Sequence, residues 1–403
     1  MLREIKKPTR DQARRLLQCL VVAIRPLRVE ELAEIIAVDF DDASGIPKLK
    51  PGWRWEDQEQ ALLTSCSSLI AIVGTSDSRV VQFSHFSVKE FLTSARLATS
   101  SQDILRYHIA LQPAHTILAQ ACLSILVQLD DLIEDSGVKK RSPLAGYAAE
   151  YWVRHAQFED VALRIKGMGY LFDLDKPYFV AWCQLHDIDT RPSFPSVFCQ
   201  LISDWRSGAG PAGTPLYYAA LCGFPNVVEQ LISKHPQHVN AIGGYFMTPA
   251  VAALAGRHFE LAEVLHRNGS SVDPRGRAEV STLHSAAWYG DLEMAQVLLD
   301  YGVDINAKND VDATPLHFAS HEDDTRIVLF LLDHGADLNI QTRAGSTPLH
   351  QASRLGKIEI ARILVEHGAG VEVQDEDGRT PLDVASEEQH DEVIKLLLEH
   401  RSK

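Results

Sequence analysis

No Gly-x-x-x-x-Gly-Lys-Ser/Thr loop occurs in this 403-residue sequence, so it lacks the glycine-rich cradle and lysine of a P-loop nucleotide site. It also lacks the Gly-x-Ser-x-Gly elbow of a serine hydrolase and the His-Glu-x-x-His helix of a zinc peptidase. Its six cysteines, Cys19, Cys66, Cys122, Cys183, Cys199 and Cys222, are scattered and never stand as Cys-x-x-Cys. That argues against a zinc site or disulfide frame and for buried thiols in a reducing compartment. No basic-then-apolar leader opens the chain. The most apolar run, His115 to Leu129, carries Gln120, Ser124 and Gln128 and is shorter than the roughly 20 residues that span a bilayer. These absences predict an intracellular protein, cytoplasmic or nuclear. They predict no enzyme, no cofactor, no metal centre, no small-molecule substrate and no membrane contact. Asn268-Gly269-Ser270 matches a glycosylation acceptor but reads as a helix-to-hairpin loop.

What is present is a sentence written six times. Thr214-Pro215-Leu216, Thr248-Pro249-Ala250, Ser281-Thr282-Leu283-His284, Thr314-Pro315-Leu316-His317, Thr347-Pro348-Leu349-His350 and Thr380-Pro381-Leu382 begin 34, 33, 33, 33 and 33 residues apart. The Thr is a good N-cap, and a Pro just after it loses no hydrogen bond at the first helical position. A second helix follows with apolar residues at helical spacing, such as Val297, Leu298 and Leu299 or Ile363, Leu364 and Val365. Gly302, Gly335 and Gly368 then stand where a left-handed residue ends that helix. Asp304-Ile305-Asn306 and Asp337-Leu338-Asn339 lead into polar hairpins. A Thr-Pro-Leu-His signature at this period resembles the ankyrin repeat. One such helix pair cannot bury its own apolar face, but a stack can.

The copies are unequal. His235-Pro236-Gln237-His238 replaces the Gly of repeat one and adds a residue. Arg257 and Asp323 stand where Gly223, Gly290 and Gly356 close the first helix of other copies, which predicts reshaped loops. The last copy, with Glu387-Glu388-Gln389-His390-Asp391-Glu392, suits a solvent-facing cap. Of the net charge of −15, the stretch from Thr214 onward holds 28 acidic and 15 basic residues, or −13. Such a surface disfavours phosphate backbones and anionic membranes and favours basic or neutral partners.

The N-terminal part predicts three helices, at 10–24, 29–36 and 56–67, with a loop from Asp39 to Trp55. Two β-prone runs, 68–73 and 79–85, flank a turn and form a hairpin, and a fourth helix starts at Ser87. Three helices and a hairpin make a winged helix. Residues from about Asp103 to His155 read as helical, with Tyr147, Tyr151, Trp152 and Phe158 as core. Residues 170–213 are less regular and are expected to cap the array. The expected architecture is mainly α. It comprises a winged-helix-like domain at 8–100, a helical linker or capping domain at 101–212, and an ankyrin-repeat solenoid at 213–403 with repeats starting at 214, 248, 281, 314, 347 and 380.

The runs Leu69-Ile70-Ala71-Ile72-Val73 and Val81-Gln82-Phe83-Ser84-His85-Phe86-Ser87-Val88-Lys89-Glu90-Phe91-Leu92 resemble the winged-helix region of fungal NACHT–ankyrin proteins. So do Arg25-Pro26-Leu27-Arg28-Val29-Glu30-Glu31-Leu32-Ala33 and Tyr147-Ala148-Ala149-Glu150-Tyr151-Trp152. These proteins belong to the NOD-like, STAND-type class, which places a nucleotide switch ahead of a repeat sensor. The resemblance implies that this chain corresponds to the C-terminal part of such a receptor, with the NACHT NTPase preceding residue 1. In that class the His of a Met-His-Asp motif contacts a nucleotide phosphate, and His85 matches it in position, with Ser84 and Phe86 replacing the Met and Asp. The residues themselves leave a second reading open, a His tied into a helix start.

The sequence therefore predicts a non-catalytic protein-interaction scaffold with a concave binding surface beside a regulatory winged helix. The alternative is part of a nucleotide-controlled switch whose NTPase lies outside this chain. A winged-helix transcriptional regulator ranks third, because the recognition helix from Glu56 to Ser65 carries three acids and no base. Candidate partner-binding residues are Tyr218, Trp288, Tyr289, Phe318, His321 and Arg354 on first helices, and Lys308 and Arg343 at hairpin tips. Tyr245, Phe246, Arg275, Arg277, Asn309, Asp375, Glu376 and Arg379 are further tip residues. His284, His317 and His350 recur at the repeat period but would lie about 10 Å apart, too far to share a metal at about 2 Å. Each is expected to fix its own turn.

Overall fold

The computed structural model describes residues 5, 10–40, 47–53, 56–66, 68–74, 79–99, 105–129, 142–186, 213–244, 248–273 and 281–401. The chain divides into two compact units, Met1–His238 and Val239–Lys403.

The first unit opens with α1 (Arg10–Val22), whose Ala13, Leu16, Leu17 and Leu20 share one buried face. The acid-rich first turn of α2 (Val29–Ile36) suits a helix N-terminus. α3 (Gln58–Cys66) leads into the hairpin of β4 (Ile70–Val73) and β5 (Val80–Phe83), paired Ile70 to Phe83 and Ile72 to Val81. α4 (Phe86–Thr93) and α5 (Ala95–Ala98) follow. The hairpin is not isolated: β1 (Leu27–Arg28) adds to β5, giving a sheet of order β1-β5-β4. The expected loop after Asp39 also contains pairing, between β2 (Val38–Asp39) and β3 (Lys48–Leu49). Two-residue strands are too short for a period-2 pattern to show them.

Glu31 is buried at the hinge between α1 and the sheet. Its carboxylate accepts from Arg25 at 2.8 and 2.7 Å, from the Arg28 backbone N–H at 2.8 Å and from Arg28 Nε at 3.1 Å. Burial alone would raise its pKa. The Arg25 hydrogen bonds, with help from Arg28, override burial and hold the group below the usual carboxylate range.

α6 (Leu111–Leu126) packs on α7 (Ala145–Ala156) and on α1. Leu118, Cys122, Leu126, Tyr147 and Trp152 are fully buried, while Tyr151 and Phe158 are half-buried. The basic run Lys139-Lys140-Arg141 lies outside the described residues. After α8 (Val161–Arg164) and α9 (Met168–Leu171) comes α10 (Tyr178–Leu185). The first repeat, α11 (Pro215–Leu221) and α12 (Pro225–Lys234), belongs to this unit. Trp152 lies 5.3 Å from Trp182, 6.4 Å from Phe172 and 5.4 Å from Phe224 of the repeat. Phe179 packs edge-on to Tyr218 at 5.4 Å. In place of a glycine, Pro236–His238 makes a 3₁₀ turn.

The second unit holds repeats two to six. Their first helices are α13 (Pro249–Ala255), α15 (Thr282–Tyr289), α17 (Pro315–Ala319), α19 (Pro348–Arg354) and α21 (Pro381–Glu387). The second helices are α14 (Phe259–Arg267), α16 (Leu292–Asp300), α18 (Thr325–Asp333), α20 (Ile358–Glu366) and α22 (Asp391–Arg401). The caps act as the sequence implies: Thr248, Thr347 and Thr380 accept from the N–H three residues on. α17 ends at Ala319, earlier in its repeat than its counterparts, and Asp323 does not take the left-handed conformation that Gly290 and Gly356 adopt at this position. Arg257 does take that conformation, at φ 64°, and is held by ion pairs to Asp291 and Glu293.

Two bonds recur between neighbours. His284, His317 and His350 each accept at Nδ1 from the N–H of their own cap residue, at 3.1, 3.1 and 3.2 Å. Each then donates from Nε2 to a carbonyl of the next repeat, Ala313 at 2.9 Å, Ser346 at 3.0 Å and Arg379 at 3.1 Å. The local role expected of these histidines is therefore half of what they do. Asn240, Asn306 and Asn339 accept, through Oδ1, the N–H of Ser271, Asp337 and Gly370.

Hairpin tips also touch. A Cβ on Gly345, at φ +73°, would stand 2.6 Å from the backbone N of Glu376. Gly335, at φ +91°, faces open space. Gly335→Ala should therefore cost about 1 kcal/mol of backbone strain, and Gly345→Ala about 2–3 kcal/mol because a fixed backbone adds a clash. Urea titrations of the two variants measure the difference; equal costs would mean that the tips do not bear on each other.

Candidate interaction surface

The candidate surface is built from the exposed side of successive first helices. In α15 the apolar positions Leu283, Ala286 and Ala287 are buried, which turns Ser285, Trp288 and Tyr289 outward as half-buried residues. α17 does the same with Phe318, followed by His321 and Glu322 in the loop. Trp288 and His321 stack at 4.4 Å with 30° between planes, and Phe318 meets Trp288 edge-on at 6.0 Å. Phe318 also packs edge-on to His284 at 5.0 Å, so the buried repeat histidine fixes its position. The sequence thus named three rings that the fold brings together, Trp288, Phe318 and His321. Tyr289 stands at the last position of α15.

Tyr218 does not join them. It is 3% exposed and packs against Phe179 and Trp182 in the core of the first unit. Its helical position alone gave no sign of those aromatic neighbours, which lie more than 30 residues away in sequence.

Around the three rings the charges are largely committed. Nδ1 of His321 lies 3.1 Å from Glu322, Asp323 pairs with Lys357 at 2.9 Å, and Asp324 pairs with Arg326 at 2.7 Å. The Arg326 hydrogen bond holds the Asp324 carboxyl below the usual carboxylate range. Arg354 is exposed, bonds Gln351 at 2.6 Å, and accepts from His390 on its carbonyl at 3.0 Å.

Among the tip residues, Lys308 and Arg343 are exposed, and Arg343 approaches Asp312 at 3.7 Å. Asn309 and Asp375 are not offered to a partner. Asn309 Oδ1 accepts from the N–H of Val311 and Ala313, at 3.1 and 2.8 Å. Asp375 Oδ1 accepts from the N–H of Asp377 and Arg379, at 3.0 and 2.8 Å. Both shape their own turns. Arg379 is gathered by Asp375, Asp377 and Glu387. Tyr245, Phe246, Arg275 and Arg277 lie outside the described residues.

His85 is exposed at the start of α4. Its Nδ1 accepts the Ser87 N–H at 3.2 Å and lies 2.7 Å from Ser87 Oγ, an N-cap role. Phe86 beside it is 72% exposed, with ring centroids 4.4 Å apart. A cleft of about 170 Å³ in the first unit is lined by Leu163, Met168, Gly169, Phe224, Pro225 and Gln230. That is below the roughly 300–1,000 Å³ of small-molecule sites. Among the described residues no helix is long and apolar enough to cross a membrane.

Comparison with known proteins places families on this geometry. The profile "Ankyrin repeats (3 copies)" matches residues 216–309, 250–342 and 316–403. The profile "GPI inositol-deacylase, winged helix domain" matches residues 2–102. A curated relative, Azaphilone pigments biosynthesis cluster protein L of Monascus ruber, is 31% identical over 277 residues, 65% of this chain and 56% of that protein. The chain thus spans little more than half the length of that relative. Its domain content is a winged helix of the GPI inositol-deacylase type followed by ankyrin repeats.

Proposed function

We propose that this chain is a non-catalytic protein-interaction scaffold working inside the cell. Its repeats capture a basic or neutral protein partner on the first-helix face centred on Trp288, Phe318 and His321. The observation that carries this is the three-ring step. The repeat's architectural positions are already filled by buried Thr, His, Leu and Ala, yet three large rings stand half-exposed on the face between two successive repeats. Tryptophan at such positions is a common interface anchor. Trp288→Ala combined with Tyr289→Ala should leave melting cooperative and weaken partner capture about 30-fold or more. The check is a titration of each form against a partner isolated with the wild-type chain. Loss of melting cooperativity in the variant would show that these rings are core and would end this reading.

A second reading has support of its own. The winged-helix match and the exposed His85–Phe86 pair favour a regulatory region of a NACHT–ankyrin, STAND-type switch. In that reading the nucleotide is held by a domain outside these residues. Labelled ADP should then fail to bind the 403-residue chain alone, and stoichiometric binding would show a nucleotide site within it.

A further inference from the structure

One buried polar chain in the first unit has no part in partner capture. His155, on α7, is fully buried. Its Nε2 lies 2.9 Å from Tyr147 Oη and its Nδ1 lies 2.9 Å from Nδ1 of His115 on α6. Tyr147 Oη also accepts the backbone N–H of Ile24 at 3.2 Å. His115 is half-buried and stacks on Phe158 at 4.0 Å.

These contacts allow one arrangement of hydrogens in which every link is made and the Tyr147 hydroxyl hydrogen also has an acceptor. In it Tyr147 accepts from Ile24 and donates to His155 Nε2. A neutral His155 then carries its hydrogen on Nδ1 and donates to His115 Nδ1, leaving His115 with its hydrogen on Nε2. A proton added to His115 Nδ1 sets two N–H groups against each other. The alternative is to reverse the chain: His155 then donates from Nε2 to Tyr147, whose own hydroxyl hydrogen loses its acceptor. Either way a polar group is orphaned beside the fully buried Tyr147 and His155.

The groups facing this chain do not favour a cation there. Arg25, from the turn after α1, lies over the Tyr147 ring at 4.9 Å and the Tyr151 ring at 5.9 Å. Its charge is already matched by Glu31 of α2. Glu34, also of α2, accepts the Leu144 N–H at 2.7 Å at the start of α7. Cys19 of α1 and Cys122 of α6 are buried thiols whose pKa values burial raises, so both are neutral. Burial, then His115, pushes the His155 pKa down to about 3, and burial lowers that of His115.

We propose that Tyr147, His155 and His115 form an acid-sensitive latch between α6 and α7, and that proton uptake by the imidazole pair loosens α7. α7 also carries Trp152, against which Phe224 of the first repeat rests, so opening the latch loosens the seat of that repeat.

Hydrogen exchange of the full chain at pH 7.5 and 5.5, corrected for the intrinsic rate, tests this on peptides covering 111–126 and 145–156. Between pH 7.5 and 5.5 the opening constant of these helices should rise about tenfold for each imidazole that takes up a proton on opening. In His115→Gln, which keeps an acceptor for His155 but cannot take a proton, that rise should shrink by about tenfold. Imidazole nitrogen shifts at pH 7.5 should show the His155 hydrogen on Nδ1. Exchange in these helices that is independent of pH, an unchanged slope in His115→Gln, or a His155 hydrogen on Nε2 would each overturn the latch.

Discussion

Trp152→Ala should destabilise the first unit by about 3–5 kcal/mol, the cost of emptying a site of that size in a packed core. Trp152 is fully buried at a junction of aromatic rings, with Trp182 edge-on at 5.3 Å and Phe172 and Phe224 at 6.4 and 5.4 Å. These rings come from α7, α10, the segment after α9, and the first repeat, so none can move into the hole without pulling its own element out of place. The indole Nε1 is buried without an acceptor among the described residues. Trp152→Phe should therefore cost far less, below about 1.5 kcal/mol, because the lost volume is partly offset by removing an unpaired N–H. Urea unfolding followed by circular dichroism measures both. The decisive result is the ratio: if Phe and Ala cost the same, the aromatic cluster does not hold the first repeat.

Acid should weaken the second unit through its buried repeat histidines, and His317 gives the clearest case. Burial first, and His350 and Lys308 after it, push its pKa down to about 4, against the Ser346 carbonyl, which favours the charged form. The geometry gives a further reason: Nδ1 already accepts the Thr314 N–H at 3.1 Å and has no room for a proton. In the unfolded chain the same group titrates near 6.5. Its contribution is therefore fully present above pH 6.5 and is lost as pH falls towards 4, where the unfolded state binds more protons. The loss is on the order of 3 kcal/mol, and His350, also lowered by burial, adds to it. Thermal melts between pH 7.5 and 4 should show this limb in wild type and a shallower one in His317→Asn, which starts less stable. An acid limb as steep in the variant as in wild type would remove His317 from the account.

Much of this was legible in the sequence, for a physical reason: a repeat writes the same local signals many times over. Thr caps, first-turn prolines and left-handed glycines act within four residues, so spacing alone located the helices of repeats two to six. The N-terminal winged helix was legible for its longer elements. It was not legible for Leu27–Arg28 or Lys48–Leu49, whose pairing rests on partners far along the chain. The same limit governed the candidate surface. Trp288, Phe318 and His321 lie in adjacent repeats, so a 33-residue period brings them together. Tyr218 meets Phe179 and Trp182, which no periodicity connects to it. The Tyr147–His155–His115 chain was hidden likewise, since its two histidines lie 40 residues apart on different helices.

The bonds that join neighbouring repeats bear on how such an array changes over generations. His284, His317 and His350 all reach a carbonyl 29 residues ahead, and Asn240, Asn306 and Asn339 all accept an N–H 31 residues ahead. Each copy in the regular middle carries a donor for the copy after it and an acceptor for the copy before it. Duplicating or deleting one whole copy leaves every such bond with a partner, whereas an insertion between a bond's two partners changes its offset. The array can therefore lengthen, shorten or exchange copies in steps of 33 residues while its seams stay intact. Variation in what it binds is then carried by side chains outside these recurring hydrogen bonds, such as Trp288 and His321.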